Sequence, residues 1–305
     1  MIDVVLDNIV KTYNKNKIPA VNDVSFSVGK GELFGLIGPD GAGKTSIFRI
    51  LTTLLLADSG TASVNGLDVV KDYKKIRSKV GYMPGRFSLY QDLTVEENLR
   101  FFATIFNTSI AANYDLIKDI YVQIEPFKDR RAGKLSGGMK QKLALCCALI
   151  HRPTVLFLDE PTTGVDTVSR KEFWEMLQRL KHQGITILVS TPYMDEATLC
   201  ERIALMQSGT IMSIDTPQNI TKQFPDNLYA IRAKNMSKLL NDLRHSRFVK
   251  SSFAFGEFHH ITLKEENTNE QLVKEMREHG NEEINMTIAM PTIEDCFIKL
   301  MNNDK

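Results

Sequence analysis

The eight residues Gly38-Pro39-Asp40-Gly41-Ala42-Gly43-Lys44-Thr45 constrain this chain more than any other stretch. They follow residues 32–37, an almost wholly apolar run with the character of a buried strand, and they precede Ile47, Ile50, Leu51, Leu54 and Leu55 at helical spacing. Strand, glycine loop, helix is the setting in which the pattern G-x-x-x-x-G-K-[ST] binds phosphate. The glycines let backbone N–H groups curl around the phosphates, and the following helix points its positive end at them. On this reading Gly38, Pro39, Asp40, Gly41, Ala42, Gly43, Lys44, Thr45 and Ser46 form the cradle. Lys44 reaches the β- and γ-phosphates, and the Thr45 hydroxyl ligates Mg²⁺.

A second apolar run, Val155-Leu156-Phe157-Leu158, ends in Asp159-Glu160. Behind a P-loop this is a Walker B strand: Asp159 holds the magnesium shell and Glu160 polarises the attacking water. A third device is Leu135-Ser136-Gly137-Gly138-Met139-Lys140-Gln141. Two glycines at a helix start, with Ser136 as N-cap, offer free N–H groups, a hydroxyl and a positive helix end. One P-loop already serves one nucleotide, so this second phosphate-binding device serves another. The inference is a head-to-tail dimer with two nucleotides sandwiched between two such chains.

These landmarks, in this order over residues 1–218, resemble the ATP-binding subunit of an ABC transporter. The resemblance implies that Tyr13 stacks on adenine, that Leu135, Ser136, Gly137, Gly138 and Met139 meet the partner's nucleotide, and that Asp166 belongs to the D-loop. Val80-Gly81-Tyr82-Met83-Pro84, Tyr193-Met194-Asp195-Glu196-Ala197 and Pro291-Thr292-Ile293-Glu294-Asp295 resemble the drug- and antibiotic-resistance exporter branch. Its cassettes pair with ABC-2 type transmembrane permeases. The resemblance thus implies an ATPase with ATP and Mg²⁺ as ligands, working with a second ATP-binding cassette, itself or a paralogue. It implies a peripheral place on the cytoplasmic face of the inner membrane. Two positions depart from the pattern. Gly85 stands where the family usually has a glutamine that touches Mg²⁺, and Pro192 where it usually has a histidine that contacts the γ-phosphate. Two alternatives follow: a soluble ABC protein of translation or DNA repair, and a weakly hydrolysing regulatory subunit.

Composition narrows the choice. Lys and Arg number 38 against 37 Asp and Glu, a balance that argues against nucleic acid as a partner, since phosphate neutralisation needs a net or clustered positive field. The run Lys71, Lys74, Lys75, Arg77, Lys79 has the pattern of a solvated helix face, with anionic lipid headgroups as the alternative reading. The longest near-apolar stretches, 143–150 and 52–57, fall far short of the roughly 18 residues a membrane helix needs. No basic, apolar leader opens the sequence. Cys146 and Cys147 sit in an apolar run as small buried thiols, in keeping with a reducing compartment.

The architecture expected is α/β: a P-loop NTPase core of the ABC-cassette type with an antiparallel β portion, and a helical insertion near 90–150. Thr94 and Glu97 should form a capping box at the start of one insertion helix. The chain changes character near residue 220, where short strands mix with helices, so residues 219–305 should form a small C-terminal α+β domain. The adjacent His259-His260 has the pattern of a surface pair in a strand, with no spaced Cys or Asp to make a metal site.

Overall fold

The computed structural model describes residues 1–13, 18–85, 89–265 and 268–303. The chain divides into two compact units, Met1–Pro217 and Gln218–Lys305.

In the first unit the elements run β1 (Ile2–Lys11), β2 (Val21–Gly29), β3 (Leu33–Ile37), α1 (Lys44–Leu51), β4 (Ser59–Val64), β5 (Leu67–Asp68), α2 (Tyr73–Arg77) and β6 (Val80–Met83). Helices α3 (Val95–Ile105), α4 (Tyr114–Tyr121) and α5 (Gly137–Leu149) follow, then β7 (Val155–Asp159), α6 (Thr167–His182), β8 (Thr186–Thr191), β9 (Arg202–Gln207) and β10 (Thr210–Asp215). One sheet, in the order β2-β1-β4-β5, is antiparallel. The other runs β10-β9-β3-β8-β7-β6, with β9, β3, β8, β7 and β6 parallel and β10 antiparallel at the edge. Strands β3, β7 and β8 are buried at every position, as parallel strands covered on both faces must be. That is why they lie in the sequence as apolar runs without alternation.

Helix α1 lies between the two sheets. Its Ile47, Phe48, Ile50 and Leu51 share one core with Val4, Leu6, Val24 and Phe26 of the antiparallel sheet and Phe34 and Phe157 of the parallel one. Phe26 stacks on Phe34 at 5.3 Å, and Phe48 meets Phe157 edge-on at 5.8 Å. The loop ahead of α1 is therefore fixed from two sides. The Thr94–Glu97 capping box forms as the spacing predicts, with both reciprocal hydrogen bonds present.

The second unit holds α7 (Pro217–Lys222, which begins at the boundary), β11 (Leu228–Arg232), α8 (Met236–His245), β12 (Val249–Phe255), β13 (Phe258–Leu263), α9 (Asn269–Glu278), β14 (Asn285–Ala289) and α10 (Ile293–Asn303). Its four strands form an antiparallel sheet in the order β12-β13-β11-β14. Its core gathers Ile231, Ile261, Leu239, Leu243, Leu272 and Met276.

His259 and His260 are not a surface pair. They are 4% and 7% exposed. Successive strand residues face opposite sides of the sheet, and both sides are covered here. His259 Nε2 bonds the Met236 carbonyl of α8, while His260 Nδ1 bonds Asp295 of α10 at 2.8 Å. The Pro291–Asp295 segment is the start of α10: Asp295 accepts from the backbone N–H and the hydroxyl of Thr292. All four cysteines are buried and unpaired.

Candidate functional site

Four parallel strands bring their C-terminal ends together, the place where open α/β sheets bind ligands. The register sets Ile37 of β3 beside Thr191 of β8, Asp159 of β7 beside Ser190, and Met83 of β6 beside Leu158. The segments leaving these strands are therefore neighbours: Gly38 onward, Glu160, Pro192, and Pro84-Gly85.

The P-loop is built on close approach. Gly43, the residue before α1, has φ of 105°, and a Cβ there would stand 2.3 Å from the Ala20 carbonyl oxygen. A Cβ on Gly38 would stand 2.1 Å from the Met206 carbonyl oxygen. Only glycine fits at either position. The loop is also tied from outside. Gly38 N–H donates to the Thr191 carbonyl, and Gly209 N–H to the Ala42 carbonyl. Helix α1 has no acidic residue in its first turn, so no carboxylate of its own competes for its positive end. Lys44 is only 3% exposed; its Nζ donates to the Gly38 and Pro39 carbonyls at 2.7 and 3.0 Å and lies 3.3 Å from Glu160 Oε1. A phosphate that reaches Lys44 is thereby within reach of Glu160. Asp40 and Gly41 are exposed at the tip of the loop, Thr45 is half-buried and Ser46 is buried. Tyr13 is brought to this loop, its hydroxyl 3.1 Å from Ser46 Oγ, with the residue 42% exposed.

Asp159 is buried, and one of its oxygens accepts from Ser190 Oγ at 2.6 Å. Glu160 has φ of 50°, unusual for a side chain of its size. Its N–H holds this conformation by donating to the Ser190 carbonyl at 3.0 Å and to Ser190 Oγ at 3.1 Å. A Cβ on Gly85 would lie 3.0 Å from the Asp159 carbonyl oxygen and 3.8 Å from Glu160 Cβ. A side chain at position 85 would therefore lie along Asp159 and Glu160, where this chain offers none.

The glycines of the signature segment, Gly137 and Gly138, open α5, as expected. Ser136 is the N-cap and accepts from Met139 N–H at 3.3 Å, while Leu135 is buried. A Cβ on Gly138 would stand 2.6 Å from Ser169 Oγ, so this turn packs on the start of α6. There Asp166 is the N-cap and accepts from Ser169 N–H at 3.0 Å, a bond that holds its carboxyl below the usual range.

The donor set suits MgATP. Hydroxyl and carboxylate oxygens, few in number, are what a magnesium ion takes when substrate phosphates and water complete its shell. Thr45 and Asp159 would supply them. The described residues hold no cluster of three or more His, Cys, Asp or Glu that could bind a metal unaided.

The ABC transporter family profile matches residues 21–163. DrrA of Mycobacterium tuberculosis, described as a doxorubicin resistance ATP-binding protein, is 36% identical over 239 residues, which are 77% of this chain and 72% of DrrA. The chain belongs to the ABC transporter ATP-binding family. YbhF of Escherichia coli, described as a probable multidrug ABC transporter ATP-binding protein, is 37% identical over 302 residues, 98% of this chain but 52% of YbhF. The chain thus spans about half the length of that relative. Among solved structures, the dimeric ATP-binding cassette MJ0796 bound to ADP and Pi superposes with a TM-score of 0.63 at 25% identity, covering 70% of this chain and 98% of that one. The fold is that of an ABC cassette, whose family members are ATPases.

The residues that sequence reasoning passed over are Ser190 and Thr191. They end β8 and bond Asp159, Glu160 N–H and Gly38 N–H. The only sequence signal was two hydroxyls closing an apolar strand, a weak mark until the register places that strand between β3 and β7.

Proposed function

We propose that this chain binds MgATP at the Gly38–Ser46 loop and hydrolyses it to drive a membrane exporter. The observation that carries the reading is the convergence of Lys44, Asp159 and Glu160 beyond the ends of β3 and β7, the two parallel strands that flank β8, with Lys44 and Glu160 3.3 Å apart. The loop's backbone N–H groups and Lys44 orient the triphosphate. Thr45 and Asp159 would hold a magnesium ion, which when bound would supply charge to offset that building on the transferring phosphoryl group. Glu160 orients and deprotonates the attacking water. Tyr13 carries the base.

An exporter of drug-like molecules is supported by the likeness to DrrA, a doxorubicin resistance ATP-binding protein, and to YbhF, a probable multidrug ABC transporter ATP-binding protein. None of the described helices is long and apolar enough to cross a membrane. On this reading the transport path belongs to a permease partner, of ABC-2 type by the sequence resemblance. A cleft of about 610 Å³, lined by Leu54, Tyr82, Tyr90, Phe102, Phe106 and His151, gives that partner an apolar docking place on the cassette. The cassette would sit peripherally on the cytoplasmic face of the inner membrane and pair with a second cassette, as MJ0796 does with its own copy.

The deciding experiment is equilibrium binding of MgATP to the full chain and to Lys44→Ala. Removing this cation should weaken affinity by about 1.5–3 kcal/mol, the range for charge-assisted contacts. Equal affinity in the two proteins would exclude the P-loop as the site.

A further inference from the structure

Helix α6 is capped by Asp166 and carries Arg170 in its first turn. The Arg170 guanidinium donates through Nε to Glu196 Oε1 at 3.1 Å and through Nη2 to Asp195 Oδ2 at 3.1 Å. It also lies over the Tyr193 ring, 4.4 Å from the centroid. Glu196 is 2% exposed, and its other oxygen, Oε2, accepts from the Thr191 hydroxyl at 2.5 Å. The Thr191 carbonyl in turn accepts from Gly38 N–H, the first residue of the P-loop. An unbroken series of contacts therefore runs from Gly38 through Thr191, Glu196 and Arg170 to the helix that starts at Asp166.

We propose that Arg170 is a positioning residue that locks the end of β8 to α6, so that the phosphate loop and the Asp166 loop shift as one body. The inference rests on the MgATP reading above. An exposed ion pair can take many geometries and contributes little. Here the Asp195 carboxylate is exposed, but the Glu196 carboxylate is buried, and a planar fork meets both carboxylates and one ring face, the arrangement that lysine cannot reproduce. The segment between the two ends is stiff. Pro192 fixes its own φ and has no N–H to exchange, and Tyr193 N–H is held by Thr191 Oγ1 at 3.1 Å. A displacement at Thr191 is thus passed on rather than absorbed. Pro192 has no polar side chain with which to touch a phosphate, so the link from the phosphate end to α6 made here is through its neighbours.

The protein carries its own probe. Trp174 is the single tryptophan, one turn beyond Arg170, 4% exposed, with an indole Nε1 that bonds nothing among the described residues. With Arg170, Asp195 and Glu196 it lines a cavity of about 400 Å³, so its emission reports on this junction.

The test uses the purified full chain, MgATP, Trp174 emission and single-turnover hydrolysis. Arg170→Met combined with Glu196→Gln removes the ion pair without stranding a buried carboxylate. Wild type should change its emission on adding MgATP. The double variant should bind MgATP within about threefold of wild type, lose that emission change, and hydrolyse about 10²-fold more slowly, the scale of a misplacement remote from the chemistry. Arg170→Lys, which keeps the charge but not the fork, should recover only part of both. A folded double variant that keeps the emission change and the rate overturns the proposal. So does wild-type emission that ignores bound MgATP. If the double variant does not fold, Arg170→Lys carries the test, and wild-type behaviour in it overturns the proposal. A wild-type chain that binds no MgATP overturns the nucleotide reading, and the role of Arg170 with it.

Discussion

Glu160 pairs two demands on one residue. Its backbone sits in the left-handed region, which costs a side-chain-bearing residue of order 1–3 kcal/mol, and it is kept there by two hydrogen bonds to Ser190. Its carboxylate is thereby aimed at Lys44. Glu160→Gln keeps the shape and removes the base, so binding of MgATP should survive while turnover falls by about 10²–10⁴. Single-turnover hydrolysis beside equilibrium binding reads the two separately; wild-type turnover would remove Glu160 from the chemistry. Gly85 and Pro192 are the converse, places where the family resemblance implies a polar group that this chain lacks. A glutamine at 85 would lie along Asp159 and Glu160 with its Cβ close to a carbonyl, so it enters with a small backbone adjustment. If the missing groups limit the rate, Gly85→Gln with Pro192→His should raise turnover by about tenfold or more, within the range one positioned polar group supplies. No gain would mean that Glu160 and the cradle already set the rate.

At the scale of elements, the β9–β10 turn acts as a clip on the P-loop. Ser208 and Gly209 both have positive φ, the signature of a tight hairpin that matches strand twist. Gly209 N–H holds the Ala42 carbonyl, and the Gly209 carbonyl accepts from Asn22 N–H of β2. A Cβ at Gly209 would stand 3.1 Å from the Pro19 and Ala20 carbonyl oxygens. Gly209→Ala therefore strains the turn and loosens the loop beside it. Thermal stability should fall by about 1–2 kcal/mol, with MgATP affinity falling alongside; calorimetry and binding on one preparation would show whether the two fall together. This hairpin is legible in sequence because Ile203-Ala204-Leu205-Met206 and Thr210-Ile211-Met212-Ser213-Ile214 flank Ser208-Gly209, and the glycine loop, the Walker B strand and the Thr94 cap are legible because each is local chemistry. Strands β4 and β6 are not. Ser59-Gly60-Thr61 is polar and mostly exposed, and β6 has four residues, too few for any period to emerge. The clip itself and the Ser190 bonds depend on register between distant strands, which spacing along the chain does not carry. The histidine pair failed for a related reason: alternation predicts one buried face, and β13 is buried at four successive positions, His259 through Thr262.

At the scale of the whole molecule, the decisive question is how many kinds of cassette one transporter contains. In a nucleotide-sandwich dimer each site takes its P-loop and Walker B strand from one chain and its signature turn from the other. This chain has Gly85 and Pro192 at its own Walker site, whereas its signature turn is complete: Ser136 caps α5 and Gly138 lies close on Ser169. A homodimer would carry both departures twice. In a heterodimer this chain's Ser136 would complete a fully equipped site on a paralogous partner, and its own Walker site would be the slower of the two. The pairing that follows is testable in the assembled transporter. Ser136→Arg places a bulky cation on the signature turn and damages the partner's site; Glu160→Gln damages this chain's own. In a heterodimer Ser136→Arg should reduce steady-state hydrolysis by about 10²-fold or more, the scale on which removing a preorganised charge-stabilising contact acts, and Glu160→Gln should reduce it less. In a homodimer both substitutions strike both sites, and both should abolish turnover to the same degree. Counting distinct cassette chains in the purified complex gives the independent reading. A complex with this cassette alone, turning over rapidly, would show that Glu160 and the P-loop suffice and that Gly85 and Pro192 are tolerated.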